Sequence, residues 1–175
     1  HEVARAAGET FASTTLELGG KDPAYVRADA DLAHAIANIG DGAFFNSGQC
    51  CCGIERIYVH DSVYNRFVEG LVELAKGYRL DDPTEPTTNL GPMARLRTAE
   101  LVRGQIVAAV AKGAKALVDQ ARFPRDRHGS CYVAPQVLVE VDHAMPVMRE
   151  GTFGPVAGVM RVGSDEEAIR LMNDT

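Results

Sequence analysis

The chain has 175 residues, 46% of them hydrophobic and 24% charged, with a net charge of −6, which suits one soluble domain with a real core and is short for a two-domain enzyme. The acidic balance argues against a nucleic-acid binder, and the one basic cluster, Arg122 to Arg127, is broken by Pro124 and Asp126. No apolar run approaches the roughly 20 residues that span a bilayer, and no signal-peptide pattern is visible, so a cytoplasmic protein without nucleic-acid or membrane partners is expected.

Residues 1 to 9 have the Ala and Glu content of a helix end, and Thr14 to Leu18 read as a short β-branched strand stopped by Gly19-Gly20. From Asp31, the positions Leu32, Ile36, Ile39 and Ala43 repeat at helical spacing, and this helix runs toward Phe44-Phe45-Asn46. Arg56 to His60 alternate as a strand, and Asp61 is placed to cap a helix whose Val63, Phe67, Leu71 and Leu74 form a buried stripe. Pro83, Pro86 and Pro92 make residues 79 to 93 a loop of turns. Val102, Ile106, Ala109 and Val110 give the next helix an apolar face, Gly113 ends it, and Ala116 to Val118 read as a strand. Tyr132 to Val141 and Val156 to Val162 supply two further strands. Ser164 with Glu167 forms a capping box for a last helix, which runs to Thr175 without a stop signal. Such alternation predicts an α/β fold, a largely parallel sheet with helices on both faces.

Three segments carry chemistry. Gly48-Gln49-Cys50-Cys51-Cys52-Gly53 places three contiguous thiols between glycines, where a helix gives way to a strand. A lone buried cysteine is ordinarily a small hydrophobe, but three in a row between glycines are harder to explain as packing. Adjacent cysteines bridge only with strain, which favours reduced thiols. They cannot all turn to one ion, and no Cys-x-x-Cys or paired His completes a tetrahedral site, so no metal is expected. A reactive cysteine somewhere in positions 50 to 52 is as far as this chemistry goes.

In Leu16-Glu17-Leu18-Gly19-Gly20-Lys21 the flanking leucines are expected to desolvate Glu17, raise its pKa and make it a candidate base. Taken alone, an exposed strand carboxylate is the favoured reading, and Lys21 reads as a partner for a carboxylate or a carbonyl. Glu150 to Pro155 is a turn bearing Phe153. No histidine pair and no glycine-rich phosphate loop is present in the sequence.

These three segments, in this order, resemble the aldehyde dehydrogenase superfamily. It carries a Glu-Leu-Gly-Gly-Lys segment with its general base, a Gly-Gln-x-Cys segment with its nucleophile and a Phe-Gly-Pro turn. Here these are residues 17 to 21, 48 to 51 and 150 to 155, with Glu17 and Cys51 standing 34 positions apart. The resemblance picks the middle cysteine. It implies that Cys51 adds to an aldehyde, that hydride passes to NAD or NADP, and that Glu17 activates the water that opens the resulting thioester to a carboxylic acid. It also implies an oxyanion held by the Cys51 backbone N–H and an upstream side-chain amide. Phe153 would lie against the nicotinamide, and the Leu18 backbone would contact its carboxamide. One departure is clear: where the family has a second glutamate reaching a ribose hydroxyl, this sequence has Gly151.

The resemblance further implies that residues 1 to 18 are the tail of a cofactor-binding domain and its seam, that residues 19 to 175 are the catalytic domain cut short at its C-terminal end, and that the full-length protein is a homo-oligomer. Alone, this chain is expected to bind cofactor poorly and to be weakly active or inactive. Two other readings stay open: a noncatalytic protein reusing the fold, with Gly151 its first sign of decay, and a thiol hydrolase or acyltransferase pairing Cys51 with a histidine.

Overall fold

Residues 54 to 60 read Ile-Glu-Arg-Ile-Tyr-Val-His, and a run with so little polar alternation belongs to a strand covered on both faces. In the computed structural model, which describes residues 1 to 174, the strands are β1 (Asp22–Val26), β2 (Ile54–His60), β3 (Lys115–Ala116), β4 (Gln136–Val139) and β5 (Val156–Val162). They form one sheet in the order β1-β2-β5-β4-β3. All pairings are parallel except that of the short edge strand β3 with β4. The period-2 geometry of a strand then sends Ile57 and Val59 to one face and Arg56 and Tyr58 to the other. All four are buried.

On the first face, helices α2 (Leu32–Phe44) and α3 (Tyr64–Lys76) press Phe44, Phe67 and Leu71 onto Ile57, Val59, Val137 and Val159. They approach closely because Gly70 has no side chain: a Cβ there would stand 2.3 Å from Ile36 Cδ1. On the second face, α4 (Leu96–Ala111) and α5 (Pro146–Arg149) pack Val102, Val147 and Met148 against Leu138 and Val156. Beside them, α6 (Asp165–Met172) packs Ala168 and Leu171 on Tyr58 and Val162. Helix α1 (Glu2–Thr10) buries none of its residues.

The expected fold is observed, with local corrections. Thr14 to Leu18 form no strand; the segment is exposed, because its alternating apolar residues have no neighbouring strand, and the first strand begins four residues later at Asp22. Asp61 does not cap the helix after β2. His60 Nδ1 accepts from Ser62 N at 3.2 Å instead, and Asp61 pairs with Arg161. In α4 the stripe is Ala99, Val102, Gln105 and Ala109, leaving Val110 exposed. The strand expected over residues 132 to 141 shrinks to Gln136–Val139, since Arg103 takes the Tyr132 carbonyl at 2.6 Å and Asp126 takes the Ala134 N–H at 2.9 Å. Ser164 Oγ caps α6 through Glu167 N at 3.2 Å, while Glu167 Oε2 reaches back to Gly163 N at 2.8 Å, one residue earlier than a standard capping box. Thr175, to which the last helix was expected to run, lies outside the described residues.

One cation ties sheet to helix. The fully buried Arg56 donates to the Lys21 carbonyl at 2.9 Å, the Tyr58 hydroxyl at 3.1 Å, and the Leu171 and Met172 carbonyls at 3.3 and 3.1 Å. The last two are carbonyls of the final turn of α6, and the negative end of the helix dipole favours the charge. Replacing Arg56 by Leu removes four hydrogen bonds made by one buried charge, so Arg56→Leu is expected to destabilise by about 3 kcal/mol. Thermal unfolding checks this; an unchanged midpoint would show that the guanidinium contributes nothing.

Candidate active site

Helix α2 stops where the backbone turns over. Asn46, Ser47 and Gly48 take φ of 50°, 57° and 71°, a left-handed run that only glycine adopts without strain. Hydrogen bonds hold the other two in place. Ser47 Oγ donates to the Gly91 carbonyl at 2.6 Å, Gln49 Nε2 donates to Asn46 O at 3.1 Å and Pro92 O at 3.3 Å, and Gln49 Oε1 accepts from Ala94 N at 2.7 Å. Gly48 is required for space as well, because a Cβ there would lie 2.1 Å from the Gly154 carbonyl oxygen. The turn before the cysteines is thus locked onto the turn that bears Phe153.

The three thiols follow in a turn closed by Gly53 N donating to Cys50 O at 3.0 Å. Cys51 and Cys52 are exposed and Cys50 is half-buried, all as free thiols. The sulfurs of Cys50 and Cys52 stand 3.4 Å apart. The Cys52 backbone N–H holds the Cys50 thiol below its usual pKa, whereas the hydrogen bond with Cys50 pushes the Cys52 thiol up. Two depressions flank this turn. One, of about 180 Å³, is walled by Gly19, Gly20, Cys51, Glu55, Gly151 and Phe153. The other, of about 310 Å³, is walled by Asp41, Phe45 and Cys52 among others. Cys50 borders both, Cys51 only the first and Cys52 only the second.

Behind the first cleft lies a buried polar cluster. Lys21 Nζ is 2.6 Å from Glu55 Oε2, with side chains 2% and 10% exposed, and it donates to Thr152 Oγ1 at 3.2 Å. Glu55 also accepts from Thr152 N at 3.1 Å and Phe153 N at 2.8 Å. Burial lowers the Lys21 pKa, and attraction to Glu55 opposes that shift. Phe153 has φ 50°, and its side chain is 46% exposed.

The structure therefore brings Cys51 and Phe153 to one cleft, floored by Gly19 and Gly20. Glu17 and Leu18 do not line that cleft; they precede its glycines on an exposed segment. Leu16 and Leu18 are themselves 47% and 78% exposed, so they do not desolvate Glu17 as expected. Lys21 does partner a carboxylate. Sequence reasoning missed that carboxylate: Glu55 was passed over at the start of a strand, and its adjacency to Arg56 in an otherwise apolar run was the available signal. Among the described residues, no three His, Cys, Asp or Glu side chains are grouped to hold a metal, and no helix is long and apolar enough to cross a membrane.

Comparison with known proteins agrees on one family. The model of the aldehyde dehydrogenase family matches residues 1–175. Aldehyde dehydrogenase 2, mitochondrial, of Saccharomyces cerevisiae is 39% identical over 170 residues, covering 97% of this chain and 33% of that protein. Succinate-semialdehyde dehydrogenase from Burkholderia pseudomallei superposes with a TM-score of 0.91 at 35% identity, covering 99% of this chain and 36% of its own. An NAD+ complex of an aldehyde dehydrogenase from Bacillus cereus gives 0.91 at 32%, covering 99% and 35%. The chain spans about a third of the length of these relatives.

The locked turn carries a clear expectation. Gly48→Ala adds both left-handed strain and a clash with backbone, so it should cost at least about 3 kcal/mol. Equilibrium denaturation measures this, and a loss below about 1 kcal/mol would mean that the turn is not held against Gly154.

Proposed function

Because the chain belongs to the aldehyde dehydrogenase family, we propose that it supplies the nucleophile and the water-activating base for NAD(P)-dependent oxidation of a small-molecule aldehyde to a carboxylic acid. The observation that carries this reading is the placement of Cys51. It is the one of the three thiols that lines only the cleft shared with Phe153, whose walls include four glycines.

The cleft fits the nicotinamide end of a cofactor. A Cβ on Gly19 would meet nothing within 4 Å, and one on Gly151 only the Gly20 carbonyl at 3.9 Å, so a planar ring can approach bare backbone with Phe153 against its face. At about 180 Å³ the cleft has room for a ring and an aldehyde head group but not for a whole dinucleotide. Leu18 offers a backbone contact for the carboxamide, while Gly151 has no side chain to offer a ribose hydroxyl. The exposure of residues 1 to 18 supports reading them as the seam toward a cofactor-binding part and the rest as the catalytic part.

In the proposed reaction the Cys51 thiolate attacks the carbonyl carbon, and the carbonyl electron pair moves onto oxygen, where the Cys51 N–H stabilises it. NAD+ or NADP+, whose ring Phe153 and the glycine-lined backbone would hold, would supply the oxidant by accepting the hydride of that carbon. The product of this half is a thioester on Cys51. Glu17, exposed beside the cleft's glycine floor, takes a proton from water; the water oxygen bonds to the acyl carbon, and the carbon–sulfur bond breaks to release carboxylic acid and thiolate. A general base for water is what favours free acid over acyl transfer to another thiol.

Acid-quenched turnover of the intact protein, followed by peptide mass spectrometry, tests this. The acyl group is expected on Cys51. Cys51→Ala should lower kcat by about 10⁴-fold or more, and Glu17→Gln should retain the first reduction of cofactor, accumulate acyl-Cys51 and slow steady turnover by about 10²-fold or more. Acyl found on Cys50 or Cys52 would contradict the assignment.

A further inference from the structure

We propose that Glu55 is a positioning residue for Phe153: its carboxylate, seated on two consecutive backbone N–H groups and matched by Lys21, holds the aromatic ring over the Cys51 cleft and so sets the affinity for cofactor. This rests on reading that cleft as the nicotinamide site.

The geometry is that of an anion in a nest of peptide N–H groups. Thr152 N lies 3.2 and 3.1 Å from Glu55 Oε1 and Oε2, and Phe153 N lies 2.8 Å from Oε1. Phe153, whose N–H closes this nest, is held left-handed at φ 50°, a conformation that a bulky L residue avoids. The two features sustain each other. The carboxylate needs converging donors to be buried at all, and the strained backbone needs an acceptor that rewards it. Removing the carboxylate leaves both N–H groups to water, and the extended backbone then becomes the cheaper state. Since Cβ direction follows backbone conformation, the ring leaves the cleft.

Lys21 completes the device. It lies nearly fully buried between Glu55 Oε2 and Thr152 Oγ1, at 2.6 and 3.2 Å, so it braces the hydroxyl of the residue whose N–H the carboxylate also holds. Lys21 directly follows Gly19-Gly20, the glycine floor of the cleft. A single ion pair therefore fixes floor and overhang relative to each other. Because Glu55 itself lines the cleft beside Cys51, the space its side chain occupies is reachable from solvent, and a small carboxylate such as formate can take its place.

The test uses the intact protein with Glu55→Ala, Glu55→Gln and Phe153→Ala, read by equilibrium NAD+ and NADP+ binding and by peptide-level amide exchange. Glu55→Ala should weaken cofactor binding by about 10-fold or more, approach the Phe153→Ala value, and speed amide exchange at residues 152 and 153. Formate should restore both binding and amide protection in Glu55→Ala and change neither in the wild-type protein. Glu55→Gln, which keeps one acceptor oxygen and is the milder change should the alanine variant not fold, should fall between. Binding unchanged in either variant, or weakened binding that formate does not restore in Glu55→Ala, would overturn the proposal. These outcomes are separable from failure of the catalytic reading: an unaltered acyl-Cys51 yield alongside unchanged binding removes only the role of Glu55.

Discussion

Glu55 cannot be buried unless something replaces the water it loses, and an isolated carboxylate in an apolar interior costs several kcal/mol. The chain meets that requirement with partners from two distant places, Lys21 at the foot of β1 and the Thr152–Phe153 backbone ahead of β5. Because β1, β2 and β5 are adjacent parallel strands, their leading ends arrive at one edge of the sheet. The full set of bonds to Glu55 can form only when all three are in register. Register and site geometry are therefore one constraint, and the glycine floor and the aromatic overhang follow from it.

A second constraint acts at the thiol turn. Three consecutive left-handed residues are an expensive way to leave a helix, and the structure offsets the cost with hydrogen bonds from Ser47 and Gln49 to the loop at residues 91 to 94. The return is a rigid turn ahead of the three thiols. The turn cannot shift without breaking those bonds or driving Gly48 into Gly154. Local strain at the cysteines and a buried charge behind the phenylalanine thus oppose each other across one cleft, an arrangement that limits reorganisation as reacting groups come together.

The sheet and its helices were legible in the sequence wherever periodicity was strong. Leu32, Ile36 and Ile39 mark α2, and the apolar runs around residues 57 and 157 mark strands buried on both faces. Thr14 to Leu18 misled because alternation signals a strand only when a neighbour exists to pair with it, and local pattern carries no news of neighbours. Among the site residues, Cys51 and Phe153 stood out by motif, but the three thiols are equivalent as a sequence. Their difference is which depression each faces, and only the turn decides that. Glu55 carried only the signal of a charge in an apolar run: its partners lie 34, 97 and 98 residues away, and its meaning arises only when the sheet assembles.

One cleft holds both Cys51 and Phe153, and in the proposed arrangement Glu55 anchors the turn that bears the ring. A crystal structure of the intact protein with NAD+ bound tests it most directly. The nicotinamide ring is expected in van der Waals contact with the Phe153 ring and facing Cys51 Sγ, with the Glu55 carboxylate still accepting from Thr152 N and Phe153 N. A nicotinamide ring seated away from Cys51, or a Phe153 turn in ordinary extended backbone with Glu55 released to solvent, would contradict it.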